Sequence, residues 1–228
     1  MMGALLQIQK DVQSVAEVIA AALNVESEIL DDECRILGAT GRVKELLLTK
    51  RSDSLITQNV IKHNYPIILT NPGKSRYCQT CIEKETCIFT GGIYCPIKVK
   101  EKCYGVISLV GFNEYQKNLL MANQSIFIDF AANFADLLSA KLQQVMTMNE
   151  LIRTNEYLEA IINSVSEGII SCDENGIITC FNQTAERIFG ISKDKAIGKH
   201  ISGVCPDSLL NRALSNGRSF FDEAIQYH

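Results

Sequence analysis

Cys78, Cys81, Cys87 and Cys95 fall within eighteen residues, spaced C-x2-C-x5-C-x7-C and followed by Pro96. Thiolates are soft ligands, and a C-x2-C step lets two of them on one turn grip the same metal. Cys87 and Cys95 complete a set of four. Four thiolates hold a tetrahedral Zn2+ with no redox change, or a [4Fe-4S] cluster where apolar side chains shield it. Ile82, Ile88, Phe89, Ile93 and Tyr94 supply such a surround. Zinc knots more often use two tight C-x2-C pairs, and this segment has one, which favours iron–sulfur over zinc. Two other chemistries fit the same residues. Cys78 and Cys81 form a disulfide switch if Lys74 and Arg76 lower a thiol pKa. Alternatively, the four are small apolar residues that brace a loop and share no partner. The expectation is a metal centre, iron–sulfur or zinc, on Cys78, Cys81, Cys87 and Cys95, with Cys103 on the next strand able to replace one ligand.

The remaining titratable residues offer less. Cys34, Cys172, Cys180 and Cys205 read as core residues, with Cys172 facing Cys180 across a hairpin. His63, His200 and His228 are isolated and read as surface or capping residues. No nucleophile–base pair, no catalytic carboxylate pair and no Gly-rich phosphate loop occurs, so no catalytic residue is expected and the chain reads as a non-enzyme. The net charge of -4 leaves no basic footprint, which excludes direct nucleic-acid binding by this region. No apolar run is long enough to cross a bilayer, and Met1 to Gln9 lacks the build of a secretory leader. Nine cysteines in 228 residues form no secreted disulfide framework, so reduced thiols in a cytoplasm are expected.

These residues need a frame. Leu5, Ile8, Val12, Val15, Ile19 and Leu23 step by three and four, the stripe of a helix ending near Asn24. Val25 to Ala39 reads as a hairpin whose turn is the solvated triplet Asp31-Asp32-Glu33. Arg42 to Leu48 and Ser54 to His63 read as helical, the second with Ser52 or Asp53 as its N-cap. Pro66 to Thr70 is a short strand and Asn71-Pro72-Gly73 a turn. The cysteine segment follows on a loop, with one helical turn around Ile82 to Thr86. Ile93 to Val99 and Lys102 to Phe112 are paired strands turning at Lys100-Glu101, the second being the strongest strand pattern in the chain. A helical pattern then runs from Glu114 to Val165. Within it Leu138, Leu142, Val145, Met148, Ile152, Asn155, Leu158 and Ile162 form a narrow seam, expected to pair two copies of the chain in parallel, with Asn155 setting register. Beyond it come a strand from Val165, a turn at Asp173-Glu174-Asn175-Gly176, a strand from Ile177 to Asn182, and helical pieces at Gln183 to Phe189, after Ser192, and at Ser208 to Leu214. Asn182 is expected to cap the helix that follows it.

On the run Glu167 to Gly190, with Ile197-Gly198-Lys199 further on, Leu158 to Phe221 resembles the first half of a PAS domain. A PAS domain has three more strands beyond the point reached at His228, which implies a piece of a longer protein. Residues 1 to about 140 resemble a GAF-like or PAS-like sensory domain in their order of elements, with Tyr94 to Leu109 similar to the late strands of a GAF sheet. The whole is similar to the input region of bacterial sigma-54-dependent transcriptional regulators or sensor histidine kinases. The resemblance implies an α+β fold: a GAF/PAS-like antiparallel sheet with flanking helices over 1–137, a cysteine-rich insertion at 76–95, a helical, coiled-coil-like linker over 138–160, and a partial PAS domain over 161–228. It implies a signal-sensing role in transcription regulation, reading redox state or a metal centre through the four cysteines and relaying it through a dimer helix. DNA and RNA polymerase are then reached only through an output domain absent from this sequence. The alternative is a regulatory domain that binds a small-molecule ligand, with the cysteines as a structural zinc site.

Overall fold

The structure is a computed structural model that describes residues 3–50, 55–79, 81, 84–85 and 87–206. It divides into two compact units, Met1–Met148 and Asn149–His228.

In the first unit the apolar stripe begins in a 3-10 turn, Ala4–Ile8, and continues through α1, Gln9–Leu23. Leu5, Ile8, Val12, Val15, Ala16 and Ile19 are buried. Asn24 ends α1 in the left-handed conformation (φ 53°), its N–H bonding to the Ala20 carbonyl, a role the short polar Asn side chain suits. β1 (Glu26–Asp31) and β2 (Ile36–Ala39) make the expected hairpin. β2 lies so close to α1 that a Cβ on Gly38 would stand 2.8 Å from the Val12 carbonyl oxygen. A 3-10 turn (Gly41–Leu46), α2 (Leu55–His63) and β3 (Ile67–Leu69) follow. A short 3-10 turn, Arg76–Cys78, leads through the cysteine loop to β4 (Gly91–Val99) and β5 (Lys102–Gly111). The sheet is antiparallel, in the order β2-β1-β5-β4-β3. Both faces are covered, so β4 and β5 are buried almost throughout rather than at alternate residues. On one face Ile29, Ile93, Ile97, Ile107 and Leu109 pack with α1 and the first half of the long helix. On the other, Ile67, Leu69, Tyr94, Val106 and Val110 pack with Ile56 and Val60 of α2. The α+β class expected from the sequence holds.

The helical run after β5 is two helices. α3 (Glu114–Ala122) starts under Asn113, whose side chain accepts the Gln116 N–H at 2.8 Å, and stops where Asn123 Nδ2 donates to the Leu119 carbonyl at 3.0 Å. α4 then runs from Gln124 to Ser164. Leu138 and Leu142 are 1% and 0% exposed and belong to the core of the first unit, so they do not form the start of an intermolecular seam. Met148, Leu151 and Leu158 are 56%, 55% and 49% exposed.

The expected solvated acidic turn is also different. Asp31 is buried, and its carboxylate accepts the Glu33 N–H, the Arg35 N–H and Arg35 Nε, at 2.8–2.9 Å. The arginine four residues on lets this acid leave water, since a buried carboxylate needs a cation and several donors.

In the second unit β6 (Ile170–Cys172) and β7 (Ile178–Phe181) form a hairpin around Asp173, which accepts the Asn175 and Ile177 N–H groups. A register shift pairs Cys180 with Ser171 and Cys172 with Ile178, so the two cysteines are not opposite one another. α5 (Gln183–Phe189) starts under Asn182 as expected, and α6 (Lys193–Ala196) and α7 (Ile201–Val204) follow. His200 caps α7 through Nδ1, which accepts the Ser202 N–H. The expected N-cap at Ser52 or Asp53, most of the helical turn at Ile82 to Thr86, and the helix at Ser208 to Leu214 lie outside the described residues. No described helix is long and apolar enough to cross a membrane.

Candidate functional site

The four cysteines are divided by the sheet. Cys78 closes the 3-10 turn Arg76–Cys78, where Ser75 Oγ accepts the Tyr77 N–H at 3.3 Å. Its side chain is buried with Ile56, Val60, Ile67 and Tyr94, under α2. Cys81 sits one turn on, its N–H bonded to the Cys78 carbonyl at 3.1 Å, and is half-buried. Cys87 is half-buried, its Sγ 4.0 Å from the Phe89 carbonyl oxygen. Cys95 points the other way. Side chains alternate along a strand, so Cys95 shares its face with Ile93 and Ile97, against α1 and α4, while Tyr94 shares a face with Cys78. Desolvation there pushes the Cys95 thiol up to about 12, which keeps it protonated at neutral pH. A ligand or nucleophile must be a thiolate. The expected four-thiolate centre is therefore not assembled, because Cys95 is separated from Cys78 by the backbone of the sheet itself. Among the described residues no three His, Cys, Asp or Glu side chains come together as metal ligands. Cys103, the expected substitute, is buried with its Sγ donating to the Gly105 carbonyl at 3.1 Å, and burial raises its pKa as well.

The structure instead draws together a row of polar side chains that sequence reading passed over. Glu28 of β1 pairs with Ser108 of β5, and Ser108 with Tyr94 of β4. All three are buried on the α2 face, where Ser108 is flanked by Val106 and Val110. Thr57 is buried on the facing side of α2. Ser108 is 0% exposed, and its Oγ has no hydrogen-bond partner in the structure. Ser27 is the one other buried hydroxyl in that state among the described residues, and its register neighbour Leu109 places it on the opposite face. A buried hydroxyl without a partner costs about 1–3 kcal/mol, which sets Ser108 apart from its neighbours Val106 and Val110 on this face. Phe89 and Phe112, with ring centroids 5.3 Å apart, and Arg42, 5.5 Å above the Phe112 ring, border the same layer. Cys78 and Tyr77 stand at its other edge, so the cysteine loop flanks this face. The sequence signal was available: Ser108 is a lone hydroxyl inside Val106-Ile107-Ser108-Leu109-Val110, the most apolar strand of the chain.

Residues 156–224 match the PAS fold family. The chain is 26% identical over 198 residues to the putative uric acid sigma-54-dependent transcriptional regulator UacR of Escherichia coli (strain K12), across 86% of this chain and 33% of that protein. It is 39% identical over 83 residues to the signal-transduction and transcriptional-control protein of Clostridium beijerinckii, across 36% of this chain and 13% of that protein. The chain therefore spans a third or less of these curated relatives. Among solved structures, the E. coli DhaR(N)–DhaL complex contains a chain that superposes with a TM-score of 0.54 at 15% identity, over 93% of this chain and 75% of that one. That likeness is one of fold. These likenesses support a sensory domain of a regulator, and the match to the PAS fold lies within the second unit.

Proposed function

We propose that the chain is the signal-receiving input region of a bacterial sigma-54-dependent transcriptional regulator, and that its first unit binds a small molecule on the sheet face beneath α2. The observation that carries this reading is Ser108 Oγ, fully buried without a partner between Glu28 and Tyr94 on a face that Ile56, Val60, Val106 and Val110 also line. Ligand sites combine such an apolar lining with a few placed polar groups. The E. coli relative is named for uric acid, so urate and related oxidised purines are the first compounds to try. Binding is tested by thermal denaturation of the 228-residue chain with each compound. The reading expects one of them to raise the midpoint in wild type and to do so less in Ser108→Ala. The region acts as a receiver and not as a catalyst. It works in the cytoplasm, and DNA and RNA polymerase are contacted through an output domain elsewhere in the regulator.

The regulator is read as a homodimer. Met148, Leu151, Asn155, Leu158 and Ile162 recur on α4 at steps of three and four, the spacing of a coiled-coil seam, and Met148, Leu151 and Leu158 are about half-exposed. A second copy of α4 covers this stripe, with Asn155 fixing register.

A second reading keeps the thiols. The turn that bonds the Cys81 N–H to the Cys78 carbonyl sets two cysteines one turn apart on the loop that also carries Cys87. Zinc or an iron–sulfur cluster on Cys78, Cys81 and Cys87, with a fourth ligand other than Cys95, gives a redox or metal input at the rim of the same face. Metal analysis of anaerobically purified protein tests it: one metal centre per chain, lost in Cys81→Ser but kept in Cys95→Ala, supports this input, and a metal-free chain excludes it.

A further inference from the structure

The Asn182 side chain caps two helices at once. It is 2% exposed and uses every hydrogen-bonding position it has. Oδ1 accepts the Ala185 N–H at 2.9 Å, the N-cap of α5, and the Ile169 N–H at 2.8 Å. Nδ2 donates to the Ile162 carbonyl at 3.1 Å and the Glu167 carbonyl at 2.9 Å. The last four carbonyls of a helix lack intrahelical donors, and Ile162 is among them in α4, which ends at Ser164. One amide therefore satisfies the end of α4, the connecting segment and the start of α5. Two neighbours repeat the pattern. Asn163 Oδ1 accepts the Gln183 N–H at 3.0 Å, and Thr184 Oγ1 donates to the Val165 carbonyl at 3.0 Å.

We propose that Asn182 is the coupling element of the second unit: it makes the position of the last turn of α4 and the integrity of the β6–β7 hairpin a single equilibrium. The reason is the burial of the amide. If the end of α4 shifts or frays, Ile162 carries its carbonyl away and leaves a buried Nδ2 hydrogen unpaired, a state disfavoured more strongly than an exposed broken bond. The segment that leads into β6 is held by the same amide, through Glu167 and Ile169, and the main chain of Asn182 donates to the Ile169 carbonyl at 3.1 Å. Displacement of α4 is therefore passed to the hairpin, and the outward cap on α5 alone does not account for the two donated bonds. The inference does not depend on what the first unit binds.

The test is amide hydrogen exchange on the 228-residue chain in a two-by-two set. Arg153→Gly loosens α4 at an exposed position off the stripe that carries Asn155. Asn182→Ser keeps an N-cap hydroxyl for α5 but is too short to reach both carbonyls. With Asn182 present, Arg153→Gly speeds exchange in residues 160–164 and, with it, in residues 169–172 and 178–181, by about threefold or more. With Asn182→Ser, exchange in residues 160–169 rises about tenfold while α5 stays protected, and adding Arg153→Gly no longer changes the hairpin. Should Asn182→Ser lose the second unit, Asn182→Asp replaces it, since it keeps both acceptor bonds and the side-chain size and turns the two donated bonds into contacts of a carboxylate oxygen with carbonyls. A hairpin that ignores Arg153→Gly when Asn182 is intact overturns the proposal. So does a hairpin that responds equally with and without the amide.

Discussion

Cys78 and Cys95 lie on opposite faces of the five-stranded sheet, Cys78 in the α2 layer and Cys95 against α1 and α4. Cys95 is expected to behave as a core residue. In native protein at neutral pH, iodoacetamide should label Cys81 and leave Cys95 unmodified, as read by mass spectrometry. Cys95→Ser should destabilise by about 1–3 kcal/mol, because it buries a hydroxyl in an apolar layer. Cys95→Ala should keep the fold. Labelling of native Cys95 at a rate near that of Cys81 would contradict its placement.

Alkali should destabilise the first unit. The Cys95 thiol has an ordinary value near 9 and is pushed up to about 12 in the folded chain by burial. A raised acid contributes its full stability below the unfolded pKa and loses it as pH climbs toward the folded one. Burial raises Cys34 and Cys103 in the same direction. Denaturant midpoints should therefore be flat below pH 9 and fall between pH 9 and 12, and Cys95→Ala should lessen the fall.

The Asp31–Arg35 pair should be structural. Arg35→Ala leaves a buried carboxylate with backbone donors alone, at a cost of about 3 kcal/mol. The Glu159–Lys193 pair has the same 2.9 Å separation but is largely in water. Lys193→Ala should cost less than about 1 kcal/mol. Equal losses in the two variants, measured by chemical denaturation, would contradict the burial assigned to Asp31.

Along α4 the same residue type should have different effects. Leu142 is fully buried in the first unit, and Leu142→Ala should destabilise it by about 2–5 kcal/mol. Leu151 and Leu158 are about half-exposed. The pair Leu151→Glu and Leu158→Glu should leave the fold intact and convert a dimer to a monomer in light scattering. A wild-type chain that is already monomeric at micromolar concentration would remove the dimer from the account.

Local signals in the sequence were reliable where one residue decides the outcome. Asn24 ends α1, Asn182 caps α5, and the β6–β7 turn falls where Asp173 and Gly176 place it. What was illegible depends on the third dimension. A strand covered on both faces shows no hydrophobic alternation, so nothing in Ile93-Tyr94-Cys95-Pro96-Ile97 reveals that Cys95 turns from Cys78. The seam on α4 read as continuous because buried and exposed apolar residues have the same spacing. Leu138 and Leu142 differ from Ile152 and Leu158 only in whether the sheet lies beneath them. Ser108 was passed over because Glu28 comes from a strand distant in sequence, and both Glu28 and Tyr94 meet it only through the register of the sheet.

The most direct test of the central claim compares ligand affinity in wild type, Ser108→Ala and Val60→Phe by calorimetric titration, using whichever purine or other small heterocycle raises the thermal midpoint. Ser108→Ala removes an unpartnered hydroxyl, so the free protein should be at least as stable as wild type while affinity falls about tenfold. Val60→Phe fills the α2 face and should abolish binding in protein that remains folded. A ligand that binds all three proteins equally would contradict a receiving site beneath α2.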